Sequence, residues 1–257
     1  MFFEKNTSMM RPAAVAAVLA LLFGQPALGQ TPEIQVDAST GEFIIKTVLE
    51  KTTENEPLKR EQLTYKRVYD VYNLNENEQV LNRAKEEVVL IEPGGRERLI
   101  EKDNKPVRGG NVSGQKFNLL TVFKALVKLH DFLVIRIEML EERPYYVISF
   151  WPKPNQKSSG DVENVIVRSE GVMYVDIEKF YIKRLSARTL RPYSPWRALG
   201  GFTLSRADIE MVQEEFSGIV VMSSVTITDR YWSLTRGGTV FEKQTYAYKD
   251  YRLVEPR

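Results

Sequence analysis

The sequence predicts a mainly β (α+β) chain: one large, curved antiparallel sheet of about 9–11 strands, with two or three short helices packed on its concave face. Three observations lead there. Apolar residues recur with a period of two over most of the chain from residue 62 to residue 253. Short polar or glycine-bearing turns separate these runs, as antiparallel neighbours require. Helical stripes are confined to two stretches, and no fixed-period repeat of a propeller or solenoid occurs.

In chain order, residues 30–38 read as a loose lead-in. Ser39 and Glu42 have the spacing of a capping box, and Phe43, Ile44, Ile45, Val48 and Leu49 continue at helical spacing. A short amphipathic helix is therefore expected over residues 40–53. Beyond Pro57 the period changes to two, with strands expected at 62–74, 79–91 and 96–102. Residues 75–78 and Gly94-Gly95 supply the turns of this meander. A glycine-bearing loop at 105–114 leads to a second helix at 117–129, whose stripe is Leu119, Leu120, Phe123, Leu126, Val127 and His130. The next hairpin comprises 132–140 and 145–151. Pro152-Lys153-Pro154 stops it, because proline cannot donate to a ladder. A short helix at 161–169 and a strand pair at 172–176 and 180–189 follow. Residues 191–201, with Pro192, Pro195 and Gly200-Gly201, show no regular pattern. Long strands at 207–216, 219–234 and 239–253 close the chain.

The strands divide into faces. Leu63, Tyr65, Tyr69 and Val71 share one face, and Thr64, Lys66 and Asp70 the other. In 132–140, Leu133, Ile135, Ile137 and Met139 oppose Arg136 and Glu138; on the return, Tyr146, Ile148 and Phe150 stand together. One apolar and one solvated face is the ordinary antiparallel arrangement. Two readings are open at this point. The apolar face is simply core, or so long a sheet is not filled by its short helices and encloses an apolar cavity. A membrane barrel is disfavoured, since Lys66, Asp70, Arg136 and Glu138 would face lipid in mid-strand. Arg67 lies on the face of Tyr65 and Tyr69. It either snorkels to the rim or is a candidate contact for a ligand head group at a cavity mouth.

The first residues read as a secretory leader. Lys5 and Arg11 flank the start of an unbroken apolar run at 13–23, and Pro26-Ala27-Leu28-Gly29 supplies small residues for cleavage. That run is too short to span a bilayer. Cleavage after Gly29 divides the chain into a leader, 1–29, and a single domain, 30–257. No cysteine is present to carry a lipoprotein anchor, so the product is expected to be soluble and periplasmic, with no transmembrane segment once the leader is removed. With 43% hydrophobic and 27% charged residues, the composition is that of a globular protein. The formal charge is +2, and loss of Lys5, Arg11 and Glu4 lowers it by one. Lys and Arg alternate with Asp and Glu, so no basic patch for nucleic acid is present. The absence of cysteine removes disulfides, thiol nucleophiles and thiolate metal ligands.

Catalytic patterns are missing. His130 is the only histidine, and no Gly-x-Ser-x-Gly elbow accompanies it. One histidine without cysteine gives too few soft ligands for a transition metal. The adjacent acids Glu86-Glu87, Glu141-Glu142 and Glu214-Glu215 point to opposite faces of their strands and do not converge on one bond. Gly94-Gly95, Gly109-Gly110, Gly200-Gly201 and Gly237-Gly238 lack the lysine of a phosphate loop and read as turns. Asn111-Val112-Ser113 fits a short glycosylation sequon. No catalytic residue, metal or cofactor is expected.

Several pieces of the sequence resemble the outer-membrane lipoprotein-sorting proteins, the LolA/LolB/LppX-like periplasmic carriers. Residues 65–72 followed by Arg98-Leu99-Ile100-Glu101-Lys102-Asp103-Asn104-Lys105-Pro106 are similar to their opening meander. Residues 143–154, from Arg143-Pro144-Tyr145-Tyr146 to Trp151-Pro152-Lys153-Pro154, resemble their central hairpin. Val172-Met173-Tyr174-Val175-Asp176 leading to Arg184-Leu185 resembles the following strand pair, and Tyr248-Lys249-Asp250-Tyr251 the closing strand. The resemblance implies an unclosed β-barrel whose concave side is capped by helices and holds acyl chains. Residues 191–201 depart from the pattern.

The expected function is a non-enzymatic carrier or binder of lipid or lipoprotein acyl chains. The chains would lie against Tyr65, Tyr69, Leu133, Ile135, Ile137, Tyr146, Ile148 and Phe150, with Phe43, Leu120 and Phe123 forming a lid. Directional transfer without ATP calls for a delivery partner at the inner or outer membrane that binds the lipid better. The first rival is a regulatory or sensory envelope protein that uses the fold for protein–protein interaction. The second is a hydrolase with scattered carboxylates.

Overall fold

Alternating segments and polar turns build eleven strands of one antiparallel sheet. The computed structural model describes residues 38–107, 112, 118–194 and 201–254, with the side chains of Ala38, Ser39 and Asp161 excluded. The predicted leader and most of the lead-in lie outside the described residues, as do Gly109-Gly110, Asn111, Ser113, Phe117 and residues 195–200. The first meander comprises β1 (Leu63–Leu74), β2 (Val80–Glu92), β3 (Arg96–Lys102) and β4 (Lys105–Pro106). The second comprises β5 (His130–Leu140), β6 (Arg143–Pro152), β7 (Ser169–Asp176), β8 (Ile182–Thr189), β9 (Phe202–Phe216), β10 (Ile219–Ser233) and β11 (Gly238–Leu253). The two meanders join where β1 pairs with β11, from Leu63 opposite Leu253 to Asn73 opposite Glu242. Spatial order is β4-β3-β2-β1-β11-β10-β9-β8-β7-β6-β5. Strands β4 and β5 are the two ends of that order, so the expected open sheet is present and unclosed.

Helix α1 (Ala38–Gln62) corrects the expected 40–53 segment: it runs through Pro57. Proline removes one backbone donor and normally costs about 3 kcal/mol inside a helix. The distal turns persist because other elements hold them. Asn55 Nδ2 donates to the Val220 carbonyl at 2.7 Å, and Val220 N–H returns a bond to Asn55 Oδ1 at 3.0 Å. Arg60 Nε donates to the Gly94 carbonyl at 2.9 Å. At the other end, Gly41 touches β5 so closely that a Cβ would lie 2.8 Å from the Phe132 carbonyl oxygen. At roughly 1.5 Å per residue, α1 is a strap about 37 Å long that ties the β5 edge to the β2–β3 turn.

Helix α2 (Leu119–Leu129) starts two residues later than expected, where Asn118 accepts a bond from Thr121 N–H at 3.0 Å as its N-cap. Its buried positions are Leu119, Phe123, Ala125, Leu126 and Leu129. A third, short helix, α3 (Gly160–Ile166), follows β6. Strand β9 begins at Phe202, five residues before the expected start.

The face expected for 132–140 is overturned. A bulge between Val134 and Arg136 shifts the register of β5 against β6. Before the bulge, Phe132 and Val134 face the core opposite Phe150 and Ile148; Leu133 pairs with Ser149 on the other face. Beyond it, Ile137 pairs with Tyr146 and returns to the inner face, while Met139 is 62% exposed. Ile135 is the extra residue of the bulge. An uninterrupted period of two cannot register such an insertion.

Candidate functional site: the concave wall and the cleft beneath α1

Cross-strand pairing assembles the inner face row by row. One row passes through eight strands as Tyr69, Tyr246, Val225, Met211, Leu185, Met173, Ile148 and Val134. A neighbouring row passes through Val71, Gln244, Ile227, Ile209, Ala187, Gly171, Phe150 and Phe132. Helices cover this wall with Ile44, Ile45 and Val48 of α1, Phe123, Leu126 and Leu129 of α2, and Ile166 of α3. The middle of the first row is sealed: Val225, Met173 and Ile148 have no exposed surface.

The wall changes character toward β1 and β11. Tyr69 and Tyr246 stack with ring centroids 4.7 Å apart. Tyr65 lies 4.9 Å from Tyr251 and 6.2 Å from Tyr248. Burial pushes the Tyr65 phenol up to about 12 and raises Tyr248 and Tyr251 as well. Further along, Asp229 stands opposite Glu242, and the Gln244 amide donates to Glu242 at 3.1 Å and to Asp229 at 3.5 Å. Desolvation first, and then the Glu242 and Asp208 charges, raise the Asp229 carboxyl to about 7.

Arg67 points inward and is buried, so it does not snorkel. Its Nη1 and Nη2 donate to the Glu97 carboxylate at 3.3 and 3.2 Å, and Nε has no partner. These two bonds commit two of its five N–H donors to Glu97. His130 is the first residue of β5 and is fully buried, with Nε2 2.8 Å from the Ser169 carbonyl and Nδ1 without a partner. Desolvation lowers its pKa and outweighs the Ser169 and Leu126 carbonyls, which favour the charged ring. No group of metal-ligating residues occurs among the described residues.

Of the residues read from the sequence, Tyr69, Phe123, Ile148 and Phe150 lie in the main core, and Tyr146 packs against it. Tyr65 packs between two smaller clusters, one at Leu63, Ile219 and Val221 and the other at Val89, Ile91 and Leu99. Phe43 is corrected: it is 65% exposed, and Ile44, Ile45 and Val48 take the inward positions of its helix. Leu120 is only partly buried, and Leu119 takes the buried place beside it. Leu133 faces away from the wall, and Ile135 sits at the bulge.

Beneath the distal half of α1 lies a cleft of about 200 Å3. Lys51, Asn55, Leu58 and Lys59 form its roof, and Leu119, Tyr181, Gln213 and Val220 its floor. Gln213 escaped the sequence reading although a signal was there. Ala207, Ile209, Met211 and Gln213 alternate along one strand face, and the last is an amide at the end of an apolar series.

No family model matches the chain, and no curated protein matches it. Among solved structures, the chain is similar to a domain named for outer-membrane lipoprotein sorting from Vibrio parahaemolyticus, with 12% identity, 86% of this chain and 95% of that chain covered, and a TM-score of 0.38. It is also similar to a DUF1329 family protein from Desulfovibrio piger, at 11% identity, 83% and 94% coverage and a TM-score of 0.33. The complex of MucA and MucB from Pseudomonas aeruginosa overlaps at 9% identity, 81% and 99% coverage and a TM-score of 0.24.

Proposed function

We propose that the protein is an exported, non-enzymatic binder or carrier of lipid or lipoprotein acyl chains in the periplasm. One observation carries this reading: an apolar row continuous over eight strands of an open sheet is covered by helices alone, and the distal half of α1 is attached by a few polar bonds above a cleft. The apolar residues that α1 buries, Ile44, Ile45 and Val48, all lie in its first half. The turns after Lys51 contribute no fully buried side chain. An acyl chain gains about 0.8 kcal/mol per buried methylene, so a long chain offers roughly 10 kcal/mol toward displacing helical side chains from the wall. Loading is then a population shift from a helix-filled to a lipid-filled wall.

Gentle purification followed by lipid extraction and mass spectrometry tests the reading, together with titration of a fluorescent fatty acid. A bismaleimide cross-link between cysteines placed at Asn55 and Val220 should block loading. The chain has no native cysteine to confuse the result. A consistently empty protein that also ignores the fatty acid would sink the idea.

The sealed centre of the wall favours a second reading, in which the helices are permanent and the fold is a docking module for an envelope protein. A cross-linked protein that keeps full biological activity would support that alternative.

A further inference from the structure

The cleft beneath α1 has an unusual balance of polar groups. Each of its lysines is matched by a glutamate: Lys51 with Glu54 at 2.8 Å, Lys59 with Glu56 at 2.6 Å, and Lys179 with Glu215. The Asn55 amide is committed on both sides to the Val220 backbone. Gln213 is different. It is only 6% exposed, it lines the cleft, and its amide makes no hydrogen bond among the described residues. The amide is not fully buried, so it is open to the cleft and within reach of a ligand. It offers one acceptor and two donors in a space bounded by Leu119, Tyr181 and Val220.

We infer that Gln213 reads the polar junction of an acyl amphiphile and selects neutral ester- or amide-linked chains over free carboxylates. This rests on the acyl-binding reading above and adds the class of ligand to it. An ester or amide carbonyl accepts from Gln213 Nε2 without bringing charge into the cleft. An amide N–H or a glycerol hydroxyl also satisfies Oε1. A carboxylate would arrive where every lysine already has its counter-ion, so its charge would be desolvated without a partner. The volume agrees: about 200 Å3 is below the roughly 300–1,000 Å3 of a site that holds a whole small molecule. It suits a linkage and the first part of a chain whose remainder runs along the wall.

The test compares two probes, dansyl-aminoundecanoic acid and its methyl ester, by fluorescence titration of the purified protein. The ester should bind about tenfold more tightly than the acid, the scale of one buried hydrogen bond gained or lost. Gln213→Leu should bring the two affinities together. Gln213→Lys, which adds a charge without a counter-ion, should reverse the preference toward the acid and serves as a second readout if the leucine variant folds poorly. Equal binding of both probes by the native protein, or a preference that survives Gln213→Leu, overturns the role of Gln213 and leaves acyl binding standing. Failure of both probes to bind overturns the acyl-binding reading and this inference with it.

Discussion

Gly171 lies directly opposite Phe150 on neighbouring strands, and the Phe150 ring occupies the space above it. A Cβ on Gly171 would stand 2.6 Å from Phe150 Cζ and 2.1 Å from the Ser186 carbonyl oxygen. The second contact is with backbone and cannot rotate away. Gly171→Ala is therefore expected to destabilise the protein by about 1–3 kcal/mol, the range for overpacking a close-packed core. A lower urea midpoint at unchanged m-value would confirm it; an unchanged midpoint would show that β7 and β8 separate freely at this point.

Arg67→Met leaves the Glu97 carboxylate without the guanidinium it faces on the inner wall. Breaking such a pair typically costs about 3–5 kcal/mol. Adding Glu97→Gln should recover part of that loss, since the double variant no longer carries the charge that faced the guanidinium. Thermal and urea unfolding of the wild type, both single variants and the double variant form a cycle that measures the coupling.

Burial disfavours the charged imidazolium of His130 and biases the ring toward its neutral form in the folded protein. Its folded pKa lies below the unfolded value of 6.5, so its contribution is complete above that pH and is lost as pH falls toward the folded pKa. His130→Gln keeps a donor for the Ser169 carbonyl and removes the titration. The wild type should lose more stability than this variant between about pH 8 and about pH 5.5; parallel losses would remove His130 as the cause.

Asp229 has the opposite sign. Its folded pKa of about 7 exceeds the ordinary 3.8, so its stabilising contribution is complete below 3.8 and disappears as pH rises through 7. Asp229→Asn should therefore gain stability relative to the wild type at about pH 8 compared with about pH 5. Differential scanning calorimetry at the two pH values reads the difference directly.

Pro57 weakens the strap where the cleft opens beneath it. Pro57→Ala restores a backbone donor and should stabilise the distal turns of α1 by up to about 3 kcal/mol. Hydrogen exchange over residues 51–62 should slow, and uptake of a fluorescent fatty acid should slow with it. Faster uptake in the alanine variant would mean that α1 does not gate the wall.

Much of the sheet was legible because its strands are long and its turns are marked by glycine and asparagine. The meanders around Gly94-Gly95 and Gly218 needed only period two and turn chemistry. Tyr146, Ile148 and Phe150 were placed correctly because β6 pairs with β5 and β7 without an inserted residue on its own side. Leu133 was misplaced because the bulge after Val134 leaves no trace in a binary pattern. Phe43 was misplaced because either side of a helix start can be apolar, and the contact of Gly41 with Phe132 decides which side turns inward. The continuation of α1 past Pro57 depends on Asn55 and Arg60 finding backbone carbonyls some 165 and 34 residues away, which no local rule anticipates.

The two meanders share a single seam, β1 against β11, and β11 follows the other strands of this sheet in sequence. Until those sixteen residues emerge, β1 and β10 each present a bare ladder of donors and acceptors. Assembly of the full sheet therefore waits for a contact between strands far apart in the sequence, a slow kind of closure. A chain terminated ahead of Gly238 would yield two half-sheets with sticky borders, so such truncations should be lost to aggregation or proteolysis.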